Sequence, residues 1–296
     1  ADILLPDTLG PETDDITASG GSNGDSAAIL PLHKAVDPQW EQRPSWEICR
    51  GIARHLGKEA EFTEGRTQFE WIEWCYNETR RKIPSLPDFA TFWKTGPAHI
   101  RDLPNAGIAL KAFRDDPKGH PLKTPSGKIE IYSERLADIA RRWVLPEGDV
   151  ISPIPKFVRT WEMPGDALQK KFPLQCYGYH GHGRIHSTFH NLPALREQFP
   201  DEVLVNVIDA EARGIRSGDR VRVFNDRGAV ELPAKVTPRI IPGVVSIPQG
   251  AWYKPEVRDG RRVDAGGNIN TLTSLRPSPL AKGNPQHTNL VEVRKA

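Results

Sequence analysis

From Leu174 onward the chain is a series of short runs rich in β-branched residues, each closed by a Gly or Asp turn, and this pattern limits its fold most. The runs are Leu174 to Tyr179, Val203 to Val207, Arg220 to Asn225, Ala229 to Val236, Val244 to Ile247 and Leu290 to Val293. Only Asp209 to Arg213 among them reads as a helix. Gly218-Asp219 and Asp226-Arg227-Gly228 are turn signals, because Gly and Asp tolerate the backbone angles that tight reversals need. Short strands at intervals of about 8–12 residues fit a barrel or a sandwich. No repeat of fixed period is present.

The first half reads differently. Residues 8–28 carry Gly, Asp, Thr and Ser with few large apolar groups, and predict a long loop. Ser45 reads as the N-cap of a helix whose apolar face is Trp46, Ile48, Ile52 and Leu56, with Gly57 closing it. Gln68 to Lys82 reads as a core helix. Residues 83–126, broken by Pro and Gly, predict irregular structure with short helices. A turn at Thr124 to Lys128 leads into an expected strand, Ile129 to Tyr132, by period-2 alternation. Ser133 caps a further helix reaching Trp143, and a Pro-rich linker runs from Pro146 to Pro155. The organisation predicted is an α/β part over 1–150, a linker to about 172, and a β-rich domain over 173–296.

The 296 residues carry a formal charge of +2, which excludes no anionic ligand, since a local patch can bind phosphate without moving the total. Cys49, Cys75 and Cys176 lie far apart with no C-x-x-C, so a zinc site or iron–sulfur cluster held by these residues is not expected. No apolar run approaches the roughly 20 residues that span a bilayer. The opening Ala1 to Asp7 has the look of the end of a buried strand, and suggests a piece of a longer protein.

Between Tyr177 and Asn191 the chain places four of its nine histidines among glycines, an arginine and hydroxyls. Glycine lets backbone approach a ligand closely, and the side chains are rich in donors. The segment reads as a loop around a large polar ligand. Two other readings stand beside it. His180 and His182 would share a strand face as a zinc or copper pair, or the histidines are ordinary surface groups.

Several stretches then point to one family. Gly218 to Asn225, Arg227-Gly228 and Pro242 to Val245 resemble the molybdopterin-dinucleotide-binding domain of the dimethyl sulfoxide reductase family. Gly266 to Pro285, Lys123 to Ser133, Ala112 to Pro117 and Ala1 to Pro6 resemble the catalytic A subunit of its anaerobic dimethyl sulfoxide reductases. The resemblance implies an α/β fragment of a Rossmann-like domain followed by a double-psi β-barrel. It implies a cofactor, bis(molybdopterin guanine dinucleotide) molybdenum, and reduction of dimethyl sulfoxide or related S- and N-oxides by oxygen-atom transfer. The 4Fe-4S cluster and the molybdenum ligand are expected N-terminal of these residues, so no catalytic or metal-binding residue is assigned and no turnover is expected from this stretch alone. Partners implied are an iron–sulfur electron-transfer subunit and a membrane anchor, placing the enzyme at the membrane on its periplasmic or cytoplasmic face. The stretch Gly181 to Gly183 is richer in His and Gly than that subunit leads one to expect, which keeps a selenate or other oxyanion reductase as an alternative. A non-catalytic double-psi-barrel binding module is the other.

The implied cofactor has pyrophosphate, guanine and pterin edges, and these sort the candidate contacts. In the central loop they are His180, Gly181, Arg184, His186, Ser187 and Thr188. Arg184 offers a planar charged fork for phosphate, and His186 a donor and an acceptor. Gln249, Gly250 and Trp252 follow a strand, with Trp252 able either to stack on a ring or to plug the barrel end. Asn268, Asn270 and Thr273 offer amide and hydroxyl groups, with Thr271 beside them. Lys282 and Asn284 form a last polar group with Gln286 and His287. Asp7, Thr8 and Glu12 are weaker candidates for a guanine edge.

Overall fold

The computed structural model describes residues 2–18, 28–100, 108–284, 287 and 289–296. They fall into two compact units, 1–123 and 124–296.

In the first unit, β1 (Asp15–Ala18), β2 (Ala28–Leu32) and β3 (Ala98–His99) form an antiparallel sheet in sequence order. The helices are α1 (Ser45–His55), α2 (Glu59–Thr63), α3 (Gln68–Lys82), α4 (Phe89–Thr95) and α5 (Lys111–Asp115). The core is aromatic. Tyr76 on α3 stacks on Phe92 on α4 at 4.2 Å, and its hydroxyl donates to the Pro87 carbonyl. Ile29, Ile72, Leu86, Phe89 and Ala98 close around them. The core reading of α3 therefore holds, and Thr67 caps it reciprocally with Glu70.

Several expectations are corrected here. Residues 2–6 form no strand, and Ile3, Leu4 and Leu5 lie exposed, because no strand among the described residues pairs with them. β1 interrupts the loop expected over 8–28, its single large apolar residue having hidden it. Ser45 is not the N-cap of α1. Pro44 holds that position, and the Ser45 hydroxyl donates to the Asp7 carboxylate instead. No parallel βαβ arrangement appears among the described residues of this unit.

The second unit opens with α6 (Glu134–Arg142), capped by the Ser133 hydroxyl as expected. Ile129 to Tyr132 does not form the expected strand. Alternation is insufficient without a neighbouring ladder to take up the backbone groups, and Ile129 and Ile131 stay exposed. Beyond residue 172 come β4 (Leu174–Tyr179), α7 (Pro193–Gln198), β5 (Val203–Val205), α8 (Val207–Glu211), β6 (Arg220–Phe224), β7 (Ala229–Val236), β8 (Val244–Pro248), β9 (Pro255–Arg258), β10 (Arg261–Asp264) and β11 (Asn289–Lys295). Their order β5-β8-β4-β11-β6-β7, with β7 pairing back to β5, closes a six-stranded barrel. A closed ring leaves no strand edge within it, and its inward Val, Leu and Ile side chains fill the interior.

The β9–β10 hairpin is appended to β7 and was not anticipated, since charge dominates its sequence. A fully buried carboxylate, Glu231 on β7, holds it. Arg222 and Arg258 each approach that carboxylate to 2.6 Å. Burial alone would raise the Glu231 pKa, but these arginines outweigh it and the net shift is downward.

Cys176 is sealed in the barrel, and burial pushes its thiol up to about 12, whereas Cys49 and Cys75 are exposed. Thiolate is the reacting species. Peptide mapping after brief alkylation of the folded chain should therefore find Cys49 and Cys75 modified and Cys176 protected until denaturant is added.

Candidate functional site

The site begins with a pairing. β4 and β8 run parallel in register from Gln175↔Val244 to Tyr179↔Pro248, so both strands end at the same rim. The two loops that follow must emerge side by side. The Gln249 amide extends the ladder to the Tyr179 carbonyl at 2.8 Å.

The first loop folds back on itself. Ile185 and Thr188 exchange backbone hydrogen bonds at 3.2 and 2.9 Å, leaving His186 and Ser187 at the tip of a tight turn. His186 takes φ +50 and Phe189 φ +74, left-handed angles that cost a non-glycine residue roughly 1–2 kcal/mol. Strain of this kind persists only where surroundings enforce it. Gly250 is one such surrounding. A Cβ there would lie 1.7 Å from the His186 carbonyl oxygen, so only glycine lets the second loop meet the turn. The Trp252 indole N–H then donates to the Ser187 carbonyl at 2.9 Å.

Beneath the turn lies a buried polar network. Arg184 donates from Nε to the Gln249 carbonyl at 2.7 Å and reaches Asp201 at 2.7 Å through Nη1. Asp201 also meets His190 Nε2 at 3.1 Å. His190 Nδ1 accepts the Trp252 amide at 3.2 Å. All three side chains are nearly buried, and burial pulls the His190 pKa below its ordinary value although Asp201 opposes this. Arg184 keeps one amino nitrogen, Nη2, enclosed and without a partner. A cleft of about 210 Å³ opens beside this network, walled by Tyr179, His182, Phe199 and Lys235.

A third segment joins the rim through another buried carboxylate. Asp264 accepts from the Lys254 and Gly266 amides at 2.8 and 2.9 Å, and from Asn268 N at 2.5 Å. His287 arrives at the same strand end, its Nδ1 accepting from Gly178 N at 3.3 Å. Loops from the middle and the end of the chain thus converge around the end of β4.

The sequence candidates divide accordingly. His180, His186, Ser187 and Thr188 are exposed, and among the described residues Ser187 Oγ and Thr188 Oγ1 form no hydrogen bond. The His180 and His186 rings sit edge to face at 5.1 Å. Gly181 lies in the same loop. Gln249 is buried and donates to the Gly178 carbonyl. Trp252 is half exposed, so it does not plug the barrel. Asn268 and Thr273 are used in local turns, Asn268 accepting from Asn270 N and Thr273 donating to the Asn270 carbonyl, while Asn270 itself is exposed. Lys282 lies over the Trp143 ring at 5.5 Å and Asn284 is exposed, and among the described residues no contact brings either to the rim. Gln286 lies outside the described residues. Asp7, Thr8 and Glu12 belong to the first unit, where Glu12 is buried and accepts from Leu9 N. Among the described residues no group of three or more His, Cys, Asp or Glu side chains is arranged to hold a metal. Sequence reading passed over Asp201, whose partners lie 11 and 17 positions away, and Asp264, which gathers backbone amides of its own segment.

This polar rim on a closed barrel has a counterpart. Residues 174–290 match the family described as the molydopterin dinucleotide binding domain. The whole chain is 50% identical over 295 residues to dimethyl sulfoxide reductase DmsA of Escherichia coli (strain K12), covering 100% of this chain and 36% of that protein. It is 37% identical over 309 residues to the dimethyl sulfoxide/trimethylamine N-oxide reductase of Cereibacter sphaeroides, again 100% of this chain and 36% of the relative. In fold it is similar to acetylene hydratase from Pelobacter acetylenicus, with TM-score 0.69, 21% identity, and coverage of 99% and 38% of the two chains. The chain spans little more than a third of the length of the curated relatives it matches.

Proposed function

We propose that the chain is the cofactor-gripping part of a molybdenum oxidoreductase that removes oxygen from dimethyl sulfoxide or a related S- or N-oxide. The observation that carries this is the rim itself. His180, His186, Ser187 and Thr188 present uncommitted donors and acceptors on a barrel that matches the dinucleotide-binding family. That set suits a pterin dinucleotide. Exposed hydroxyls and imidazoles match the pterin and phosphate edges, and Asn270 matches a guanine edge. The group supplied, molybdenum held by a pair of molybdopterin guanine dinucleotides, provides the oxygen-atom transfer, while the protein binds and orients it.

The finer fold reading belongs to the same proposal. The barrel is of the double-psi type, which parallel pairs β4–β8 and β5–β7 inside an otherwise antiparallel ring support. The first unit is part of a Rossmann-like domain completed by further sequence. Electrons arrive from an iron–sulfur subunit and a membrane anchor, with the complex at the membrane on its periplasmic face. Identity along the whole of this chain, though over little more than a third of each relative, to both a dimethyl sulfoxide reductase and a dimethyl sulfoxide/trimethylamine N-oxide reductase favours this substrate class over selenate or another oxyanion.

The test is the double variant Ser187→Ala/Thr188→Ala in the intact protein. Molybdenum by elemental analysis and pterin by fluorescence should fall together by several-fold, with the unfolding temperature nearly unchanged because these hydroxyls support no internal bond. Full loading in the variant would remove the loop from the cofactor site.

A further inference from the structure

We infer that Asp201 is the positioning residue of this rim, using its carboxylate to lock the 180–192 loop onto the 249–252 turn through a single tautomer of His190.

The logic is a count of hydrogens. The Trp252 amide can only donate, so His190 Nδ1, which it meets at 3.2 Å, must be an unprotonated acceptor. The ring proton therefore sits on Nε2, where it donates to Asp201 Oδ2 at 3.1 Å. Asp201 Oδ1 meanwhile takes Arg184 Nη1, whose Nε is fixed on the Gln249 carbonyl. One carboxylate thus closes two routes from the first loop to the second, through Arg184 to Gln249 and through His190 to Trp252. Trp252 continues the lock, since its indole holds the Ser187 carbonyl behind the His186–Ser187 tip. A residue outside both loops sets where the tip's donors stand.

The arrangement also has a direction in pH. Protonated His190 would carry hydrogen on Nδ1, facing the Trp252 amide hydrogen, and the second route would open. The charged groups around the ring are Asp201, which favours that protonation, and Arg184 and Arg196, which oppose it along with burial. With the folded pKa depressed below 6.5, the lock is complete above that value and is lost as pH falls through the folded pKa. Removing the Asp201 charge takes away the group that favours protonation, so any surviving lock should open at lower pH than in the parent.

The consequence for cofactor rests on the function proposed above, and the experiment separates the two. Hydrogen exchange of the intact protein, Asp201→Asn against parent, is followed across pH 5 to 8 with correction for intrinsic rates. The expected result is faster exchange in peptides covering 249–254 and 180–192 by about tenfold or more, barrel strands β6 and β7 unaffected, and the midpoint of acid-induced loosening moved downward. Parent-like exchange, an unmoved midpoint, or loosening spread through β6 and β7 would overturn the inference, the last by reducing Asp201 to general structural support. Asp201→Glu, which keeps the carboxylate, should retain the parent midpoint, and loss of it would count against a role for the charge. Pterin content is measured on the same samples. Rim loosening with full pterin content would leave the lock in place and refute the cofactor reading beneath it.

Discussion

Replacing Gly250 with alanine is expected to be the most damaging single-methyl change in the barrel. The added Cβ would stand 1.7 Å from the His186 carbonyl oxygen and 2.1 Å from its carbon, and neither is a side chain that can rotate away. Backbone strain adds to this, because Gly250 sits at φ +87. Gly218 separates the two contributions. It has nearly the same angle, φ +88, with nothing within 4 Å of its Cβ position. Gly218→Ala should therefore cost only the left-handed penalty of about 1 kcal/mol, while Gly250→Ala should cost more than about 3 kcal/mol or displace the His186 turn. Thermal unfolding of the intact protein reads the difference, and pterin content should fall in the Gly250 variant alone. Equal effects at the two glycines would mean that the close approach of the loops does not matter.

The second large effect is expected at Arg184. Its guanidinium and the Asp201 carboxylate are both more than nine-tenths buried. Removing one member of a buried pair leaves the other uncompensated, at a cost of about 3–5 kcal/mol. Arg184→Ala should destabilise by this order and should also lower molybdenum and pterin loading, since the Gln249 carbonyl loses its donor and the first loop its anchor. Arg184→Lys keeps the charge but cannot reach Gln249 and Asp201 as a rigid fork, so it should recover part of the stability and little of the loading. Arg184 thus reads less as a free phosphate fork than as a brace with one enclosed nitrogen, Nη2, still to be satisfied. Cofactor loading unchanged in Arg184→Ala would contradict this role.

The barrel strands were legible because inward Val, Leu and Ile alternate with polar residues, and because turns such as Gly218-Asp219 punctuate them. Local chemistry of that kind is written in neighbouring residues. Ser133 as a helix cap and Gln68 to Lys82 as a helix were legible for the same reason. What failed was context. Ile129 to Tyr132 has the alternation of a strand but no ladder to join. The β9–β10 hairpin has an Asp259-Gly260 turn signal, yet charge dominates it, and the Glu231 that holds its Arg258 lies 27 positions away in sequence.

The site shows the same division. The density of His, Gly and hydroxyl groups after Tyr179 read as a loop around a large polar ligand, and the structure makes it a loop packed closely on the 249–252 turn. Its partners were not readable. The Asp201 contact joins residues 17 positions apart to Arg184 and 11 apart to His190, and the Trp252 contact joins it 62 positions away. No periodicity encodes such pairings. The Trp252 contact follows from the parallel register of β4 and β8, which places the two loops side by side.

The most direct test compares hydrogen exchange of the intact protein with cofactor bound and with cofactor removed. Bound cofactor should slow exchange in residues 180–191, 249–254 and 266–273, leaving the outer hairpin at 255–264 unchanged. Protection confined to other parts of the protein, with these rim segments exchanging equally in both states, would contradict the assignment of the rim as the cofactor grip.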